Sequence, residues 1–331
     1  MNALLAALAV GVLFAIVLFG VAGANLQFVF GVVVPYGAVA LFLLGFAYRV
    51  LKWAGSAVPF RITTTCGQQK TLPFLKNDNL ENPHNLIGVV GRMALEVLFF
   101  RSLFRNTKAK LKEGGRLVYG RDKWLWAGAV AFHWTFLIVL LRHLRFFAEP
   151  VPSFVLALQS LDGLFKIGVP VFYFTGAILL ASVTYLFLRR VVIPQLSFIS
   201  LMADYFPLFL IMAIAGSGIL MRHFYKVDLV AVKQLTMGLI RFQPEIPDGI
   251  GFLFFAHLFF VSALFAYFPF SKLMHLGGVF LSPTRNLAGN SRQRRHVNPW
   301  NYAVKTHTYE EYEDEFREVM RNAGLPLEKA E

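Results

Sequence analysis

Six long apolar stretches separated by polar segments set the pattern of this chain. They run from about Ala3 to Ala22, Leu26 to Val50, Trp124 to Phe147, Ile167 to Leu188, Phe198 to Met221 and Ile250 to His275. Each reaches the roughly 20 residues that cross about 30 Å of hydrocarbon. Lipid offers no partner for backbone N–H and C=O groups, so each stretch predicts a helix that closes those bonds within itself. The fold class read from the pattern is an all-α membrane protein with six transmembrane helices. The N-terminal run MNALLAALAVGVLFAIVLFGVAG lacks a positive lead and is long enough to span, which predicts a retained first helix.

The longest interruption, residues 53–123, opens with the polar stretch RITTTCGQQK. From about His84 to residue 106 it becomes apolar with Arg92, Glu96, Arg101 and Arg105 interspersed. That pattern suits a helix lying in the membrane interface with its apolar side in lipid; the alternative is a short extra span. After the last span, THTYEEYEDEFREVMRNAG predicts a short acidic helix ending at Gly324. The region 276–331 is either a docking tail or solvated, disordered chain. The organisation expected is therefore an N-terminal helix (1–25), a transmembrane core (26–275) with an insertion at 53–123, and the tail.

Composition agrees with lipid as the solvent. Hydrophobic residues make up 56% of the chain, against about 45–50% for soluble domains. The formal net charge of +13 would suit nucleic acid, but its distribution suits orientation in a membrane instead, and no nucleic-acid partner is expected. Of the 32 Lys and Arg, fourteen lie between Arg49 and Lys123, two are Arg189 and Arg190, and nine follow from Lys272 onward. Seven remain for the other face: Arg142, Arg145, Lys166, Arg222, Lys226, Lys233 and Arg241. By the positive-inside rule both termini are cytoplasmic and the chain is a multi-pass protein of the cytoplasmic (inner) membrane. A single cysteine, Cys66, excludes an internal disulfide and an iron–sulfur cluster ligated by this chain alone. Cys66 reads either as a plain loop cysteine or as a contact near a partner's cluster.

Ionisable side chains inside spans are costly and point to function. The third span carries His133 and His143, and the sixth carries His257 and His275. The two spans run in opposite directions, so His133 pairs in depth with His275 and His143 with His257. Two pairs are the smallest set that holds two haems between imidazoles, and with no C-x-x-C-H in the chain the haems would be of the b type. The spacing is uneven. Ten residues rise roughly 15 Å and eighteen roughly 27 Å along a helix. Pro269 permits a kink that absorbs part of this difference, with His275 just past the regular helix. Arg142 and Arg145, flanking His143, suit haem propionates or act as interfacial anchors. His84, His223, His296 and His307 lie outside the paired positions. A proton-coupled transporter or a non-redox anchor would also bury histidines, but the sole intramembrane acid candidate is Asp204, which weakens a relay.

A histidine pair ten apart followed by one eighteen apart on the final span resembles the cytochrome b subunit of respiratory nitrate reductase (NarI), over about residues 30–275. The resemblance implies a five-helix di-haem core, here with an added N-terminal helix and the long insertion. TTTCGQQK, the insertion and RRHVNPWNY with HTYEEYEDEF resemble more closely the cytochrome b subunits of DsrMKJOP-type membrane complexes, linked to dissimilatory sulfite reduction. That resemblance implies two haem b groups and a subunit that oxidises menaquinol (the menaquinone/menaquinol couple). Its acceptor would be a cytoplasmic iron–sulfur subunit (DsrK-like) that reduces a DsrC-type trisulfide. Other membrane and periplasmic subunits, including a cytochrome c, would stand alongside. It also implies that His133 and His275 ligate the cytoplasmic-side haem, and His143 and His257 the outer one. A lysine lines the quinol site of the nitrate reductase relative; Lys166, near Asp162, occupies a comparable place, or is a plain interfacial lysine. The same haems would equally serve electron flow toward quinone.

Overall fold

The computed structural model describes residues 1–56, 67–105, 108–168, 170–282, 284–291 and 306–328. Cys66, His296 and the RRHVNPWNY stretch lie outside the described residues. The architecture is helical, with six helices long and apolar enough to cross a membrane among the described residues.

The first span is α1 (Asn2–Val17), extended by a π-helical turn Leu18–Gly23, and the second is a turn Val29–Val33 running into α2 (Val34–Ala54). The insertion contains α3 (Leu86–Phe99), which Asn85 opens by accepting from the Gly88 N–H at 2.8 Å. Phe100 then takes a left-handed conformation (φ 48°, ψ 47°) and separates α3 from the single turn α4 (Arg101–Phe104). Leu86, Ile87 and Val90 of α3 are exposed. Most charges along this stretch are paired: Arg101 and Arg105 both pair with Glu81, and Glu96 takes Arg285 at 2.9 Å, while Arg92 Nε is buried without a hydrogen-bond partner among the described residues. Burial holds the Arg92 guanidinium below its usual pKa. A two-stranded hairpin follows, β1 (Lys108–Leu111) with β2 (Leu117–Gly120), turning where Gly114 and Gly115 adopt positive φ.

The third span is α5 (Lys123–His143), capped by Asp122, which also takes Arg189 at 2.6 Å. A short helix, α6 (Ser153–Asp162), leads to α7 (Phe174–Val192), the fourth span. That span begins seven residues later than the apolar pattern predicts. Lys166 and Gly168 take positive φ and Pro170 follows, so residues 163–168 and 170–173 form a connection instead of helix. After α8 (Pro194–Ile199), the extended Ser200 delays the fifth span, α9 (Met202–His223). Then come α10 (Leu229–Ile240), the sixth span α11 (Phe252–Tyr267), the short α12 (His275–Gly278) and α13 (Tyr309–Asn322). Thr308 and Glu311 close α13 with a reciprocal capping box, and Gly324 ends it with φ +71°.

The helices pack in the sequence α5, α7, α9, α11, α2, with α1 on α9. The face carrying Arg189, Ser200 and Lys272, hereafter the basic face, also holds the chain's start: the Asn2 amide donates to Ser200 O at 2.9 Å. At the turn Phe268–Phe270 that follows α11, a Cβ on Gly45 of α2 would lie 2.7 Å from Pro269 Cβ. Gly45→Ala is therefore expected to destabilise the fold by about 1–3 kcal/mol through overpacking, read as a lower unfolding temperature in detergent.

Candidate functional site

Regular helix stops at Tyr267, two residues before Pro269, because a proline ring cannot donate and clashes with the preceding turn. A 3-10 turn Phe268–Phe270 leads to Ser271, which is extended (φ −119°, ψ 175°) and turns the chain off the helix axis. Ser271 then caps a second turn, Lys272–Met274, whose end delivers His275. Eighteen residues of straight helix would overshoot; the broken segment does not. Asp204 secures it by accepting from Lys272 Nζ at 2.6 Å while capping α9 through the Leu201 N–H. The acid considered as a relay is thus a helix cap and an ion-pair partner at the basic face.

The four histidines meet in two pairs. The rings of His133 and His275 lie 6.0 Å apart, centre to centre, at an interplanar angle of 77°. Those of His143 and His257 lie 6.3 Å apart at 12°. Two metal–imidazole bonds of roughly 2.0–2.1 Å, plus about 1.1 Å from each nitrogen to its ring centre, place such centres about 6.3 Å apart. Both pairs match the span of one metal ion held axially.

The hydrogen bonds select the nitrogen. His133 Nδ1–H donates to Ala129 O at 2.8 Å, His143 Nδ1–H to Val139 O at 2.7 Å, and His275 Nδ1–H to Lys272 O at 2.8 Å. His257 Nδ1 lies 2.9 Å from Ser217 Oγ on α9. With Nδ1–H committed to a carbonyl, His133, His143 and His275 keep the Nε2 lone pair, the arrangement that ligating imidazoles use, and His257 shares it where Ser217 Oγ is the acceptor. Donor chemistry and spacing therefore fit bis-imidazole haem. Aromatic rings surround the pairs: Phe100 and Phe132 lie 4.8 and 5.0 Å from His133, and Phe146 lies 6.1 Å from His143. Phe100 comes from the insertion, which α5 holds by donating Trp126 Nε1–H to Phe99 O (2.7 Å) and Trp134 Nε1–H to Leu98 O (2.9 Å).

The other candidate residues sit at the opposite face. Asp162 is buried and accepts from Arg142, from the Thr175 N–H at 2.8 Å and from Thr175 Oγ1 at 2.5 Å. Arg142 also lies 3.5 Å from the centre of the Tyr173 ring, which Arg222 approaches at 3.9 Å. Arg145 donates to Gln159 Oε1 at 2.9 Å and lines a cavity of about 420 Å³ with Lys233, Met237 and Arg241. Lys166 is exposed in the connection after α6. His223 contacts Phe172, His84 contacts Lys70 and His307 lies near Glu315, so none joins the two pairs. Sequence reasoning missed Ser217 and the Tyr173 cluster, both assembled by residues distant along the chain.

The chain is similar to proteins already described. The family described as nitrate reductase gamma subunit matches residues 88–292, beginning inside α3, so the first two spans lie outside the match. In Archaeoglobus fulgidus, the Hdr-like menaquinol oxidoreductase cytochrome b-like subunit is 46% identical over 282 residues, covering 83% of this chain and 84% of the relative. A subunit of the same description from Archaeoglobus profundus is 41% identical over 273 residues, covering 80% and 81%. A family match across most of the chain, with four paired imidazoles inside it, places this protein in the nitrate reductase gamma subunit family of NarI-like membrane cytochromes b.

Proposed function

We propose that the chain is the electron-carrying cytochrome b subunit of a menaquinol oxidoreductase, with one haem b between His133 and His275 and another between His143 and His257. The observation that carries this reading is the pair of imidazole separations, 6.0 and 6.3 Å, with all four Nδ1 atoms bonded elsewhere. The relatives' role as Hdr-like menaquinol oxidoreductase subunits supports it. A bis-imidazole haem b supplies one-electron transfer at a potential tuned by ligands, burial and hydrogen bonding. The chain's part is to hold four imidazole rings at two heights and to exclude water with Phe100, Phe132 and Phe146.

Menaquinol is proposed to meet the chain at the face opposite the basic one. Lys166, exposed there, would hold a ring oxygen, and Asp162 keeps Arg142 beside His143. The bias of Lys and Arg supports a cytoplasmic position for the basic face and both termini, in the inner membrane. On that face a cytoplasmic iron–sulfur subunit of heterodisulfide-reductase type would accept the electrons. More specifically, we propose a complex of the DsrMKJOP type, with a periplasmic cytochrome c and further membrane subunits, delivering electrons to a DsrC-type trisulfide in sulfite reduction. The C-terminal region with α13 is proposed as the docking tail.

The test is the visible spectrum of the purified chain, oxidised against dithionite-reduced, with haem extracted and counted. Bands of bis-histidine haem b at two haems per chain are expected. A colourless protein overturns the reading in favour of a non-redox membrane anchor or transporter.

A further inference from the structure

We propose that Ser217 is a positioning residue for His257, fixing the tautomer and plane of that one ring and so the potential of one haem of the two. The inference rests on the ligation proposed above. Three of the four histidines donate Nδ1–H to a carbonyl of their own segment, three or four residues back. His257 alone reaches across to another helix, forty residues away in sequence. Ser217 is buried at 6% exposure, with Oγ 2.7 Å from Ala213 O and 3.0 Å from Ile214 O. A hydroxyl has one proton; given to Ala213 O, the nearest acceptor at 2.7 Å against 2.9 Å for Nδ1, it leaves the oxygen facing His257 as an acceptor. Nδ1 of His257 is then the protonated nitrogen, and the Nε2 lone pair is free toward His143.

Gly218 completes the seat. A Cβ there would stand 3.4 Å from His257 Cε1 and 3.9 Å from Nδ1, so the ring lies close against the α9 backbone. Held between the hydroxyl and that backbone, the ring adopts its 12° angle to His143. The acceptor is itself polarised by donating to a carbonyl, which strengthens the bond from Nδ1–H and raises the basicity of the imidazole. A more basic axial ligand favours ferric over ferrous iron, so loss of this bond moves the midpoint potential upward. The His133–His275 pair donates its hydrogen bonds to Ala129 O and Lys272 O and serves as an internal control.

The experiment is potentiometric titration of the full chain in detergent, followed by visible absorbance and low-temperature EPR, for wild type, Ser217→Ala and Ser217→Thr. For Ser217→Ala we expect one of two waves to shift positive with a changed low-spin ferric signal, the other wave to stay in place, and Ser217→Thr to restore the first. Loss of one haem from Ser217→Ala with recovery in Ser217→Thr supports the inference equally. Two waves at their wild-type positions overturn it, as do both waves moving together, loss of both haems, or no recovery with threonine. A wild-type chain without haem, or a His257→Ala chain that keeps two, overturns the ligation reading and this inference with it.

Discussion

Replacing His143 by alanine is expected to leave a chain that binds one haem instead of two. His143 faces His257 across 6.3 Å and takes no part in the other pair. Ten residues of α5 separate it from His133, about 15 Å of helical rise, so the second pair keeps its geometry. His257 alone offers a single axial nitrogen, and the free position would be left to water. Haem extraction should give half the wild-type amount per chain, and the remaining spectrum should be that of the His133–His275 haem alone. His133→Ala should give the complementary species, with the other EPR signal retained. If the proposed path through both haems operates, quinol-dependent reduction of the surviving haem falls to background in His143→Ala. Retention of both haems would show that imidazoles other than these hold them.

The depth pairing behind this prediction was legible because it needs only the direction of two spans, which alternation of apolar and polar segments supplies. The uneven spacing was legible in part: Pro269 marked the break, but the turn at Ser271 that carries His275 off the helix axis depends on local backbone geometry. Other features had no such signal. The helices α6 and α10 are short and lie at the face opposite the basic one, where neither a spanning length nor a strong charge pattern announces them. Gly114 and Gly115 punctuate a hairpin whose strands are four residues each, too short for a clear alternation. Ser217 looks like any small helical residue until α9 and α11 are packed together. Arg142 read as a propionate contact or an anchor because its partners, Asp162 and Thr175, are 20 and 33 residues away. Non-local contacts chose among alternatives that local chemistry left equal.

Asp162→Asn is expected to destabilise the fold by about 3–5 kcal/mol, the cost of leaving one member of a buried ion pair uncompensated. The side chains of Asp162 and Arg142 are only 2% and 14% exposed, so water cannot replace the lost charge. The carboxylate also accepts from the backbone N–H of Thr175 in the first turn of α7, where the helix dipole favours negative charge. Arg142 would remain stacked on Tyr173 beside Arg222, two cations on one ring with their counter-ion removed. Thermal or denaturant unfolding in detergent measures the loss, and the double variant Asp162→Asn with Arg142→Met should recover most of it, since an apolar replacement removes the orphaned charge. This result separates two roles for the same residue. A carboxylate that anchors α6 to α5 and α7 affects unfolding first, and its effect is relieved when the arginine is removed. One that accepts a proton from quinol leaves unfolding unchanged while turnover falls, and removing Arg142 does not restore it. The three-way bonding of Asp162 argues for the anchor.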